Sequence, residues 1–152
     1  MLLKDEVRML RLVPLFAGLD PAKLKLLAFT SDRVNYRAEE ILFRQGEVGD
    51  AAYVILAGKA EILADSPNGQ IRIAEVGQNS IIGEIAILCD AARTATVRAV
   101  TPIDALRIRK EQFIKLLTDF PEVTIEVMRV LALRLSQTTM ALTEERSRAL
   151  QK

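Results

Sequence analysis

The sequence predicts a mixed fold: an antiparallel β-sandwich or barrel with helices at both ends. Three observations predict it. Apolar residues recur at helical spacing through the first thirty positions. From Arg33 to Arg109 the period shortens to that of strands, in eight short apolar segments separated by turn residues. Beyond Arg109 helical spacing returns and is sustained almost to the last residue.

Residues 4–13 read as a helix with Val7, Leu10 and Val13 on one side, ended by Pro14. Leu15 to Leu19 form a turn. Asp20 then stands as an N-cap before Pro21, which is pre-shaped for the first helical position. Leu24, Leu26, Leu27 and Ala28 supply the apolar side of this second helix. The strand-like segments are 33–36, 40–44, 52–57, 59–64, 70–76, 80–82, 95–99 and 103–108. Between them lie Gly46 with Gly49-Asp50, Ala57-Gly58, Pro67-Asn68-Gly69, and Gly77 to Ser80. Asn68-Gly69 predicts a tight hairpin, because its backbone tolerates the positive φ such turns need. Phe113, Leu116, Leu117 and Phe120 fit a short helix stopped before Pro121. A long helix follows over about 121–149, with no Gly or Pro after Pro121. Met128, Leu131, Leu135, Thr138 and Leu142 recur along it at spacings of three and four, a coiled-coil-like seam. Val123, Val127 and Val130 form an adjoining stripe suited to packing on the β-structure.

Composition narrows the function classes. The chain has 152 residues, 50% apolar and 27% charged, with a net charge of +1. That supports a real core and offers no global basic field for nucleic acid or anionic lipid. No apolar run reaches membrane-spanning length, and no signal-peptide core is visible at the N-terminus. One cysteine and no histidine exclude an intrachain disulfide and remove the usual metal ligand and general base. The expectations are no metal, no catalytic residue, no membrane or direct nucleic-acid partner, and a reducing, cytoplasmic setting. Starting at Met1, the chain reads as a complete small protein.

The chemistry concentrates in residues 81–97. Gly83 can adopt positive φ or let a ligand approach the backbone. Glu84 to Leu88 reads as one helical turn whose first N–H groups have no intrahelical partner. Arg93 brings a permanent cation with a planar fork suited to phosphate oxygens. The Thr94 hydroxyl and neighbouring backbone N–H groups could complete the cradle. Glu84 would repel a phosphate and therefore suits something else, such as a sugar hydroxyl. A phosphate joined to a ribose satisfies both demands.

The run GEIAIL…ARTATV resembles the phosphate-binding cassette of the cyclic-nucleotide-binding domain family. That family includes bacterial catabolite activators, kinase regulatory subunits and nucleotide-gated channels. Gly83, Glu84, Ala86, Arg93, Thr94, Ala95, Thr96 and Val97 match its pattern in register, with Ala92 where many members have proline. The PLF-x-GL opening and the stretch ILFRQGEVGDAAYVILAGKAEIL also resemble the family. The resemblance covers about residues 10–142. It implies a mostly β fold with flanking helices: an eight-stranded antiparallel β-roll (jelly roll, double-stranded β-helix). The chain then divides as a helical start 1–31, a β-roll 32–109 and C-terminal helices 110–150 within one domain.

The ligand-binding residues implied are Gly83, Glu84, Ile85, Ala86, Arg93, Thr94, Ala95, Thr138 and Thr139. Taken singly, several have plainer readings. Glu84 could simply be an acid at a helix N-terminus, helped by the dipole. Thr138 could be a threonine tolerated in the seam. LALRLSQTTMAL resembles the catabolite activator's central helix, where a hydroxyl pair in register contacts adenine across a dimer. Thr94 matches a threonine that favours guanine in cGMP-dependent kinases, so it does not settle the base. Arg98 reads as solvent-facing, Cys89 as a small apolar filler, and Lys4, Arg8 and Arg11 as a solvated face.

The resemblance implies a non-enzymatic signalling module. It would reversibly bind a 3′,5′-cyclic nucleotide, cAMP ahead of cGMP, with no cofactor. Ligand would move the C-terminal helices, and the seam would make a homodimer. The sequence is silent on a downstream protein partner. Three alternatives stand beside this reading. One is the ligand-binding fragment of a catabolite-activator-type regulator, although no helix-turn-helix follows. Another is a dimerising scaffold that has lost its ligand. The third, a cupin-like enzyme, needs clustered histidines that this chain lacks.

Overall fold

The computed structural model describes residues 3–150. Two helices, α1 (Leu3–Arg11) and α2 (Pro21–Thr30), precede the strands. Then come β1 (Asp32–Tyr36), β2 (Ile41–Phe43), β3 (Ala51–Ala57), β4 (Ala60–Ser66), β5 (Gly69–Val76) and β6 (Ile81–Ile82). A short helix, α3 (Glu84–Leu88), interrupts them before β7 (Thr96–Ala99) and β8 (Ile103–Arg109). The chain closes with α4 (Lys110–Asp119) and α5 (Pro121–Leu150). The strands form two antiparallel four-stranded sheets, ordered β1-β8-β3-β6 and β2-β7-β4-β5. This is the β-roll that the resemblance implied.

β3 shows why the sandwich holds. Its first six residues are all buried, on both faces. Ala52, Val54 and Leu56 point toward the helices, joining Leu10, Phe16, Leu24, Leu106, Phe113, Val123 and Val127 in one core. Ala51, Tyr53 and Ile55 point the other way, joining Leu42, Val97, Ile103 and Ala105 between the sheets. A strand buried on both sides reads as a continuous apolar run. β8 divides its residues between the two cores in the same way.

Local signals act where expected. The Asp20 carboxylate accepts the Lys23 backbone N–H at 3.0 Å and caps α2. The β4–β5 hairpin forms one residue earlier than the Asn68-Gly69 reading: Pro67 and Asn68 make the turn, and Gly69, at φ +107°, begins β5. Two further readings need correcting. Leu26 is not on the buried side of α2: Leu24, Leu27 and Ala28 are buried, while Leu26 is exposed. Cys89 is exposed rather than filling a gap, because it lies beyond the last turn of α3. Arg98 donates to the Glu61 carboxylate on the neighbouring strand and stays half-exposed. Arg8 and Arg11 face solvent; the Lys4 side chain lies outside the described residues.

α5 divides in two. Val123 and Val127 are buried in the core that the helices share with the sheet carrying β3 and β8, and Leu131 packs at its edge. From Leu135 onward every described residue of the helix is exposed. Leu135 itself is 68% exposed, and Met128 and Leu142 are similar.

Candidate functional site

The 81–97 stretch folds back on the β2–β3 loop. The Arg93 backbone pairs with that loop on both sides: its N–H donates to Glu47 O at 2.8 Å, and its carbonyl accepts from Gly46 N at 2.9 Å. Buried Thr96 accepts the Gln45 N–H through Oγ1 at 2.9 Å. Two glycines permit this contact. A Cβ on Gly49 would lie 2.3 Å from the Ala86 Cβ. Gly83, at φ +84°, turns β6 into α3, and a Cβ there would stand 2.6 Å from an Arg93 terminal nitrogen. The glycines and the small Ala86 are therefore steric requirements of the packed loop.

Arg93 is 3% exposed. Its two terminal nitrogens donate to Gly83 O and Ala51 O, each at 2.7 Å, and its guanidinium lies 4.0 Å above the Phe43 ring. Asp50 stands 3.9 Å away, on the solvent side. The buried Nε–H finds no acceptor among the described residues. Burial lowers the guanidinium's pKa, with Tyr53, Asp50, Glu47 and Glu84 opposing. A guanidinium remains a cation at neutral pH, so the loop holds a buried, incompletely paired positive charge.

Glu84 is 1% exposed. Arg134 of α5 reaches across to it, donating to Glu84 Oε1 at 2.5 Å and to Ile81 O at 2.7 Å. Burial raises the Glu84 carboxyl above its ordinary value; Arg134, and more distantly Arg93, act against that shift. A buried acid and two arginines thus share one cleft. Its volume is about 90 Å³, and its walls include Phe43, Ile62, Ile82 and Val97.

Of the residues singled out from sequence, Gly83, Glu84, Ile85, Ala86, Arg93, Thr94 and Ala95 all line this cleft. Thr138 and Thr139 do not line it. They are exposed on α5 beyond Arg134, and their hydroxyls donate to Arg134 O and Leu135 O, each at 2.9 Å. Sequence reasoning missed Arg134. The usable signal was its place four residues before Thr138, on the same helical face as that threonine. Among the described residues no group of acidic, Cys or His side chains is arranged to hold a metal ion. Nor, among the described residues, is any helix long and apolar enough to cross a membrane.

The family described as "Cyclic nucleotide-binding domain" matches residues 33–120. A Neurospora crassa lysophospholipase is 29% identical over 84% of this chain, which spans only 8% of that protein. The CRP-like cAMP-activated global transcriptional regulator of Mycobacterium tuberculosis is 28% identical over 82% of this chain and 56% of its own length. Among solved structures, the catabolite activator protein of Thermus thermophilus superposes with a TM-score of 0.76 at 28% identity. The superposition covers 85% of this chain and 61% of that one.

Proposed function

This chain belongs to the cyclic nucleotide-binding domain family, and from that premise we propose that its cleft binds cAMP in preference to cGMP and signals through α5. The observation that carries the reading is Arg93. A buried cation with a free Nε–H, fixed by two carbonyls and a ring, is suited to one phosphate anion. Two terminal-nitrogen hydrogens also remain after the carbonyl bonds, since a guanidinium has five N–H donors. Glu84 serves the sugar. Arg134 takes one carboxylate oxygen; the other makes no side-chain hydrogen bond among the described residues and is left for the ribose 2′-hydroxyl.

The base choice rests on Thr138 and Thr139. Each hydroxyl already gives its hydrogen to a backbone carbonyl, so only its lone pairs face outward. An adenine amino group can donate to them, whereas the guanine carbonyl has nothing to accept. Access requires movement. Ligand pockets run to about 300 Å³ or more, and the cleft of about 90 Å³ is narrowed by Arg134. Binding therefore shifts α5 relative to the sheet, and that displacement is the signal. Thermal unfolding with cAMP, cGMP and 2′-deoxy-cAMP tests this. cAMP should raise the midpoint most, and loss of the 2′-hydroxyl should weaken the effect. Thr138→Val with Thr139→Ala should reduce the cAMP preference by about 1 kcal/mol per hydroxyl lost. No shift with any of the three ligands ends the reading; a larger shift with cGMP moves selection to Thr94.

The exposed seam of Met128, Leu135 and Leu142 supports a two-fold dimer through α5. Light scattering at roughly 50 µM should show a dimer, and Leu135→Glu a monomer. A monomeric wild type with and without cAMP removes the dimer.

A further inference from the structure

We propose that cAMP binding is coupled to proton uptake: the ligand displaces Arg134 from Glu84, and the buried acid takes a proton from solvent in place of the lost cation. The proposal rests on the nucleotide reading and adds a regulation to it, a cleft that holds its ligand more tightly as pH falls.

Glu84 is 1% exposed, so neighbouring cations rather than water sustain a charge on it. Two cations serve it. Arg134 of α5 donates to Glu84 Oε1 at 2.5 Å, and Arg93, on the loop after α3, acts at longer range. The other charged or titratable groups around the site act on Arg93: Asp50, at 3.9 Å, and Glu47 from the β2–β3 loop, and the Tyr53 phenol of β3. Burial already lifts the Glu84 carboxyl above its ordinary value, and Arg134 is the largest influence against it.

Binding removes both supports. The cleft of about 90 Å³ must open to admit a nucleotide, and of its lining residues only Arg134 lies outside residues 43–97. Arg134 is more than a third exposed, so it can exchange its bonds for water, whereas Glu84 stays buried. The phosphate then pairs with Arg93. That cancels the second cation and sets a negative charge beside the acid. The ribose 2′-hydroxyl returns one hydrogen bond, but a neutral donor supports a carboxylate less than a guanidinium does. Every change except that hydrogen bond favours the neutral acid. A protonated Glu84 still accepts from the 2′-hydroxyl through one oxygen. Arg134 keeps its own proton and leaves as a cation, so the proton on Glu84 comes from solvent. A bound state that holds more protons than the free state is favoured at lower pH.

The chain has no histidine, which leaves the window clean. Between roughly pH 5.5 and 7.5 ordinary carboxyls are largely ionised, and lysines, arginines and the thiol keep their protons. Calorimetric titration with cAMP near pH 6.5, in PIPES and in imidazole, reads the exchange, because the two buffers give up a proton with different heats. The wild type should take up more than about 0.3 proton per cAMP, and its affinity should be at least about threefold tighter near pH 5.5 than near pH 7.5. Glu84→Gln should bind more weakly, with equal heats in the two buffers and no pH dependence. Arg134→Ala should take up less than the wild type, since its Glu84 is already partly protonated before ligand arrives; a purely structural Arg134 would leave the proton count unchanged. A wild type that binds cAMP with equal heats in both buffers, or with proton release, overturns the proposal and leaves the nucleotide reading standing. So does uptake that persists in Glu84→Gln. No binding in either buffer ends the nucleotide reading and this proposal with it.

Discussion

Arg93→Ala is expected to weaken cAMP binding by at least about thirtyfold, because truncating a buried, hydrogen-bonded charge partner costs on the order of 2–5 kcal/mol. The side chain also has a structural task. It satisfies Gly83 O and Ala51 O and covers the Phe43 ring, so truncation leaves two carbonyls short of a donor in a buried loop. A loss of stability is expected alongside the loss of affinity, and the two must be read separately. Arg93→Lys separates them: it keeps the charge but cannot hold both carbonyls and present a further N–H to a phosphate in one plane. Calorimetry should give an intermediate affinity for Arg93→Lys. Equal affinity in wild type and a folded Arg93→Ala protein would falsify the phosphate role.

The second large effect concerns the Glu84–Arg134 pair. Arg134→Ala leaves the Glu84 carboxylate buried without its cation. Breaking a buried pair costs about 3–5 kcal/mol; the low end applies here, because the Arg134 side chain is 36% exposed. The sign of the pH dependence follows from the raised Glu84 value. Such an acid contributes stability fully below its unfolded value, and the contribution is lost as pH rises through its folded value. Arg134→Ala raises the folded value further, so the deficit should be large near pH 7.5 and shrink toward pH 4 as Glu84 takes up its proton. Adding Glu84→Gln should recover most of the deficit at neutral pH, since a neutral amide needs no cation. Denaturant titrations of the wild type, Arg134→Ala, Glu84→Gln and the double variant at both pH values check this. A deficit that does not change with pH would mean that Arg134 acts through packing and the Ile81 carbonyl alone.

Much of the fold was legible because burial leaves a periodic mark on the chain. All eight strands lie within two residues of the segments marked by alternation and turn residues. β3 was readable although both its faces are buried, because Gly49-Asp50 and Ala57-Gly58 bracket it. Leu26 was misplaced for the opposite reason: α2 has leucines around its whole circumference, and periodicity cannot choose a face when every face is apolar. Cys89 was misread because a small residue in a loop carries no periodic signal of burial.

The cleft shows the same division. Gly83, Glu84, Ala86, Arg93 and Thr94 lie within twelve positions, so their residue types, together with the family resemblance, marked the stretch as a candidate site, and the structure brings them to one cleft. Which groups Arg93 holds, and that Glu84 is already engaged, came only from tertiary structure. Arg134 stands fifty residues beyond Glu84 in sequence. Their meeting depends on where α5 crosses the sheet, which the burial of Val123 and Val127 fixes from the far end of the helix. That contact is set by the direction of a rigid helix, and its one mark in the sequence was the spacing of Arg134 from Thr138, so the sequence singled out Glu84 and Arg93 as candidates but not the arginine that reaches across to the acid.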